Sequence, residues 1–218
     1  MHPGADLELE REEAHYLSRV RRAKVGDAIE VLDGAGGRWH ARVEHIGERG
    51  SARIQLGEPV PLPDPGREIV LLLAPPDPKA LLEAFAAACA GGATSILLVA
   101  TERSQATLPG PDRIDRVMRA AMRQCGRPAP PALRGPVALE QALAERTRLP
   151  GLVADPTASD DHVPDGPGLR YLVGPEGGLS PAELELARGA GFLSLCLGPW
   201  TLRTEAAVTA GLCRLITG

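Results

Sequence analysis

The chain has few aromatic residues, two each of Trp, Tyr and Phe in 218. That scarcity excludes a broad stacking platform for nucleic-acid bases, because each stacked base needs an aromatic face of its own. An excess of positive charge is missing too. Lys and Arg number 24 against 28 Asp and Glu, a formal net charge of −4, so a polyanion could be held only by local patches. The four cysteines, Cys89, Cys125, Cys196 and Cys213, lie far apart with no C-x-x-C pair, which argues against a metal site. Three of them sit in apolar runs and are expected to be buried free thiols. No apolar run is long enough to cross a bilayer, and Met1 opens no charged-then-apolar signal. A cytoplasmic protein without membrane contact is therefore expected. Neither G-x-G-x-x-G nor a P-loop occurs, so no nucleotide motif is available to place a ligand. What remains is an ordinary globular composition, 44% hydrophobic and 24% charged, in a chain long enough for one large domain or two small ones.

The most informative stretch is Leu172–Leu186, LVGPEGGLSPAELEL. A short apolar run ends in Gly174-Pro175-Glu176-Gly177-Gly178, and a helix start follows at once. Ser180 can cap that helix, Pro181 suits its first position, and Glu183 completes an S-x-x-E capping box. Glycines at such a bend let a ligand approach the backbone closely. A second stretch repeats the layout. Leu193–Leu197 is apolar, Gly198-Pro199 bends the chain, and Thr204 is expected to cap a helix over Glu205–Leu215. Two strand–loop–helix units this close together suggest a ligand site at strand C-termini in an open α/β sheet, although each loop alone could be only a tight turn.

The remaining sequence divides in two. Up to residue 66 a polar segment precedes short β-type runs at Ala28–Leu32, Arg38–Ile46 and Ser51–Leu56. Apolar residues alternate in Trp39, Ala41, Val43 and in Ala52, Ile54, Leu56, as in a sheet with one wet face. Asp33-Gly34, Gly36-Gly37 and Gly47–Gly50 mark turns, so a small antiparallel sheet or barrel is expected. Arg19, Arg21, Arg22 and Lys24 form a basic cluster, read either as a solvated segment or as an RNA-facing patch. Pro59, Pro61, Pro63 and Pro65 with Gly66 form an extended linker.

From residue 67 the pattern is α/β. Ile69–Ala74 and Ser95–Ala100 read as buried strands, and Asp77-Pro78 opens a helix running to Gly91-Gly92. Leu81, Leu82, Phe85 and Cys89 share one face of that helix. Asp112–Gly126 reads as a helix on which Arg113, Arg116, Arg119, Arg123 and Arg127 form one stripe. Such a stripe suits RNA phosphates, a subunit contact or a row of salt bridges. Leu139–Leu149 is an expected helix, Gly151–Ala154 a strand, and Thr157–Gly168 a loop. The order β-α-β-α-α-β-β-α-β-α predicts a mostly parallel sheet with helices on both faces.

GPEGG with S-x-x-E, followed some twenty residues on by Leu197-Gly198 and Leu202-Arg203-Thr204-Glu205-Ala206-Ala207, resembles the C-terminal signature of the RsmE-type 16S rRNA uracil-N3 methyltransferases. These belong to the knotted SPOUT superfamily. His15, Val20, Arg22, Gly26 and Asp27 fit part of that family's N-terminal pattern, and Arg103-Ser104, Gln124 and Arg127 fit parts of its later ones. The chain departs from it at Arg21, at Ala86–Gly92, at Arg123, at Thr201 and at Ala206. The resemblance implies a PUA-like β-barrel RNA-binding domain over 1–66 and a SPOUT methyltransferase domain with a trefoil knot over 67–218. It further implies S-adenosylmethionine as cofactor, 16S rRNA of the small ribosomal subunit as partner, and a homodimer built on the C-terminal domain. The cofactor would be held by Ala154 and Asp155, by Val173, Gly174, Pro175, Glu176, Gly177 and Gly178, and by Leu195, Cys196, Leu197, Gly198, Thr201, Leu202 and Arg203.

Methyl transfer to uracil N3 needs the acceptor held in line with the methyl group and needs the imide proton removed. Arg203, able to stabilise a developing anion on O2 or O4, and Glu205 are the catalytic candidates. Arg19, Arg21, Arg22, Lys24, Arg103, Arg116, Arg119, Arg123 and Arg127 are the RNA-binding candidates, and no metal is expected. Two alternatives stay open on sequence alone: a non-catalytic RNA-binding paralogue, and an unrelated α/β enzyme binding a nucleotide at the same loops.

Overall fold

The structure, a computed structural model, describes residues 1–47, 51–64, 66–105, 107–158 and 162–216. The chain forms two compact units, Met1–Asp64 with Gly126–Ala129, and Pro65–Cys125 with Pro130–Gly218.

In the first unit, strands β1 (Asp6–Glu8), β2 (Ala28–Leu32), β3 (Arg38–Ile46) and β4 (Ala52–Pro59) form an antiparallel sheet in the order β1-β4-β3-β2. Cross-strand partners Ala41 with Leu56 and Val43 with Ile54 put the alternating apolar residues on one face. That face is sealed by Ala14 and Leu17 from helix α1 (Arg11–His15) and the π-helical turn that continues it over Tyr16–Val20. The polar segment before Ala28 contains a strand and a helix, too short for their periodicity to show. The apolar runs form the expected small antiparallel sheet, with β1 and β2 as its outer strands. Gly47 donates to the Ser51 carbonyl at the β3–β4 turn, whereas the rest of the Gly47–Gly50 turn lies outside the described residues. Pro59 is the last residue of β4, so the proline linker begins after it, and Pro65 lies outside the described residues.

The second unit runs β5 (Glu68–Leu73), α2 (Pro78–Ala90), β6 (Ser95–Ala100), α3 (Pro111–Cys125), β7 (Ala132–Ala138), α4 (Leu139–Leu143), β8 (Gly151–Ala154), β9 (Gly168–Val173), α5 (Pro181–Gly189), β10 (Phe192–Leu195) and α6 (Thr204–Leu215). All six strands are parallel, in the order β10-β8-β9-β5-β6-β7. The apolar run of β5 serves two cores at once. Ile69, Leu71 and Leu73 meet α2 and α6 on one side, while Val70, Leu72 and Ala74 meet α4 and α5 on the other. A strand covered on both faces has to be apolar at every position. Leu81, Leu82, Phe85 and Cys89 of α2 are all buried, and Asp77 caps that helix through the amides of Lys79 and Ala80. No described helix is long and apolar enough to cross a membrane.

Three expectations are corrected in this unit. Strand β7 lies between α3 and α4, where none was read. Arg134, Gly135 and Pro136 interrupt its pattern, which an edge strand tolerates because one side of its ladder needs no partner. Helix α4 stops at Leu143, and the exposed residues 144–148 have no apolar face to dock a longer helix. Cys213, on α6, is exposed, whereas Cys89 is buried and Cys196 half-buried; among the described residues none of the four cysteines forms a disulfide.

Candidate functional site

Because β8, β9 and β10 are parallel neighbours, their C-terminal ends open onto one edge of the sheet. Each end leads into one of the stretches singled out in the sequence: 154–155 after β8, 174–178 after β9 and 196–203 after β10. One hydrogen bond joins the last two. Thr204 Oγ1 donates to the carbonyl of Gly174 at 3.1 Å, so the start of α6 is pinned to the start of the GPEGG loop. This corrects the expected role of Thr204. The N-cap of α6 is Arg203, and Thr204 is the first helical residue, its hydroxyl committed across the loops instead of to its own helix.

The GPEGG loop is tied from the other side as well. Arg103, after β6, donates Nη1 to the Gly177 carbonyl at 2.6 Å. Glu176 Oε1 accepts from the Asp77 amide at 3.1 Å. Glu183 does two things: Oε2 accepts from the Ser180 amide, closing the capping box with Ser180, and Oε1 accepts from the Glu102 amide at 2.7 Å. The loops after β5, β6 and β9 are thus cross-linked by side chains that share no sequence neighbourhood. The S-x-x-E spacing announced the capping box, but nothing local announced the second oxygen of Glu183 or the reach of Arg103.

Asp155 is buried and spent on structure. Its Oδ1 accepts from the amide and hydroxyl of Thr157, and its Oδ2 from Ser194 Oγ at 2.9 Å and Arg188 Nη2 at 2.8 Å. Burial pushes the carboxyl up, but these hydrogen bonds from Thr157, Ser194 and Arg188 together hold it below the usual carboxylate range. Its backbone amide donates to the Leu195 carbonyl, extending the tie between β8 and β10. At the base of the second loop Cys196 Sγ points to the Gly198 carbonyl, and Arg214 Nη1 donates to the Cys196 carbonyl at 3.0 Å.

Two glycines leave the backbone of these loops open on one side. Gly178 and Gly198 have φ of +67° and +143°, and a Cβ built on either would meet nothing within 4 Å. Their backbones therefore face open room, as a backbone cradle requires. Beside this room Arg203 is exposed and Glu205 half-buried in the first turn of α6. Among the described residues neither side chain makes a hydrogen bond or ion pair, so Arg203 does not close a pair with Glu205 or Glu176. No group of three His, Cys, Asp or Glu placed to hold a metal occurs among the described residues.

The RNA-binding candidates are dispersed. Arg19, Arg21, Arg22 and Lys24 are exposed on the first unit, and Arg22 holds a left-handed φ of +53°. Arg113, Arg116 and Arg119 are exposed along α3, where Arg119 Nε pairs with Asp115 at 2.8 Å. Arg123 is half-buried, and Arg127 lies beyond the end of α3, so the helix carries four arginines of the stripe and not five. Arg103 is engaged with Gly177, as described above.

Residues 63–216 match a family described as an RNA methyltransferase domain, and residues 9–56 one described as an RNA methyltransferase PUA domain. A ribosomal RNA small subunit methyltransferase E from Synechocystis is 30% identical over 229 residues, spanning 97% of this chain and 73% of the relative. The enzyme of that name from Mycobacterium tuberculosis is 28% identical over 225 residues, 96% and 85% of the two chains. A methyltransferase structure from Legionella pneumophila with bound cofactor SAM superposes with a TM-score of 0.84 at 27% identity, covering 97% of this chain and 91% of that one. A Neisseria gonorrhoeae ribosomal RNA small subunit methyltransferase E bound to S-adenosyl methionine gives 0.83 at 23% identity, covering 98% and 92%. The second unit accordingly has the SPOUT fold, the first is a PUA-like sheet, and the chain belongs to the ribosomal RNA small subunit methyltransferase E family.

Proposed function

We propose that this protein transfers a methyl group from S-adenosylmethionine to N3 of a uridine in the 16S rRNA of the small ribosomal subunit. The observation that carries the reading is the junction of the two loops by Thr204 and Gly174, which sets the uncommitted Arg203 beside backbone facing open room. The residues present suit the cofactor: the strand ends 154–155, 173–178 and 195–203 lie at the C-terminal ends of three neighbouring parallel strands, and the open sides of Gly178 and Gly198 leave space a side chain would fill. Asp155 supports this edge from below through its four hydrogen bonds, and its carboxylate is not free to bind ligand.

The cofactor supplies the electrophilic methyl group; the chain supplies position and charge. Arg203, at the N-terminus of α6, can hold the anion that develops on a uracil oxygen as N3 loses its proton, assisted by the positive end of the helix dipole. Glu205, in the first turn of α6 and without a side-chain partner among the described residues, can accept that proton. The first unit would hold RNA through Arg19, Arg21, Arg22 and Lys24, with residues 1–66 the RNA-binding part and 67–218 the methyl-transfer part. The family resemblance supports a homodimer built on the second unit, which light scattering tests directly.

The decisive experiment offers small subunits from cells lacking this protein to the purified enzyme with tritiated S-adenosylmethionine, alongside naked 16S rRNA. Label should enter the rRNA, and mass spectrometry of the digested RNA should place it on N3 of one uridine. No incorporation into either substrate, or a methyl on another atom, overturns the reading.

A further inference from the structure

Methylating N3 means working on the edge a uracil uses for base pairing. The base must therefore be unpaired and drawn from its stack, and the protein has to replace the lost stacking with a surface of its own. The flat side chains suited to that are aromatics and, less often, arginine. The choice in this chain is narrow. Tyr171, Phe85 and Phe192 are buried in the core of the second unit. Tyr16 and Trp39 are half-buried in the first, and Trp39 Nε1 is bonded to Asp33. The sixth aromatic, Trp200, is 79% exposed.

Trp200 lies in the loop between β10 and α6, three residues ahead of Arg203. That loop is fixed at both ends, by Cys196 with Gly198 and Arg214 on one side and by Thr204 with Gly174 on the other. A large apolar ring held out in water on a tethered loop costs free energy that binding could recover. The uncommitted guanidinium on the same loop complements the oxygens of an RNA base and the phosphates of its backbone, not an apolar partner. We propose that Trp200 is a positioning residue that stacks on an unpaired base at the methylation site, next to the group that stabilises the anion. The inference rests on the methyl-transfer reading above and adds to it a specific contact for the extruded RNA.

The test compares Trp200→Ala and Trp200→Phe with the unaltered protein. Methyl transfer to small subunits lacking the modification should lose about tenfold or more in kcat/KM in the alanine variant, the scale of one lost base stack, and largely recover with phenylalanine. Affinity for S-adenosylmethionine by calorimetry, and molecular mass by light scattering, should not change. Adding 16S rRNA should quench the part of the tryptophan emission that is absent from Trp200→Phe. Unchanged kcat/KM with unquenched Trp200 emission overturns the proposal, and so does a change of oligomeric state in the alanine variant, which would give Trp200 to a subunit interface. If the unaltered protein transfers no methyl yet Trp200 is still quenched by RNA, the methyl-transfer reading fails while the stacking contact stands.

Discussion

Arg203 and Asp155 stand on the same edge of the sheet, and their charges are used in opposite ways. The Arg203 guanidinium is exposed and uncommitted among the described residues, so removing it disturbs little of the fold. Arg203→Ala should lower turnover by about 10²-fold or more, the usual cost of one donor to a developing oxyanion, with little change in melting temperature. Arg203→Lys should recover part of this, since it restores the charge but not the planar fork. An alanine variant with full turnover would make Arg203 structural. The Asp155 carboxylate instead binds β8 to β10 and the turn at Thr157. Its folded pKa is depressed, so its contribution is fully present above its unfolded value of about 4 and is lost as pH falls through the folded one. Denaturant unfolding of Asp155→Asn across a pH series should show a deficit of about 1–3 kcal/mol near neutrality that closes as pH falls below about 4. A deficit that persists unchanged in acid would show that shape, not charge, is what Asp155 contributes.

At the level of elements, helix α6 is docked by one close fit. Tyr171 on β9 is fully buried, its hydroxyl donates to the Ala207 carbonyl at 3.0 Å, and its ring lies against Gly211. A Cβ at Gly211 would come within 2.3 Å of the ring carbon Cζ and the hydroxyl oxygen. Gly211→Ala therefore sets two effects against each other. Alanine favours the helix by about 1 kcal/mol, while overpacking a buried ring that has no room to retreat costs about 1–3 kcal/mol and sometimes more. The clash should win, giving a lower melting temperature by calorimetry and weaker cofactor binding, because α6 carries Arg203 and Thr204. A stabilised variant would mean the helix shifts freely on the sheet. This packing also shows where the sequence was readable. The capped helices α2 and α5 and the doubly apolar β5 were legible because each is specified by adjacent residues. Strand β7 was hidden by Gly135 and Pro136, and α4 was overextended to Leu149 across residues 144–148, which give a longer helix no apolar face. At the site the two glycine loops were legible, but the bonds of Thr204 to Gly174 and Arg103 to Gly177 span 30 and 74 residues and depend on strand order. No local pattern encodes such a pairing.

For the whole molecule, the question is how a chain of net charge −4 holds a polyanion. Uniform attraction is ruled out by sign, so binding must come from places where the local balance reverses. On α3 the surface is not simply positive, since Asp112 and Asp115 share the helix and Asp115 is paired with Arg119. An exposed pair of this kind contributes only about 0.3–0.5 kcal/mol, too little to explain a row of arginines by stability alone. Arg113 and Arg116 are exposed on the same helix, and neither is ion-paired among the described residues. If the row holds RNA, replacing both with glutamine should weaken binding to 16S rRNA and reduce the slope of log affinity against log salt by roughly two, one for each lost phosphate contact. Cofactor affinity should stay as it was, because neither arginine belongs to the loops that would hold it. If the row instead serves a subunit contact, the double variant will lose dimer mass or melting temperature, and the salt slope of the RNA binding that survives will not move. The same measurement on Arg19, Arg21, Arg22 and Lys24 then assigns the remaining slope. A slope accounted for by the two patches together would show that the acidic remainder acts by keeping RNA off every other surface.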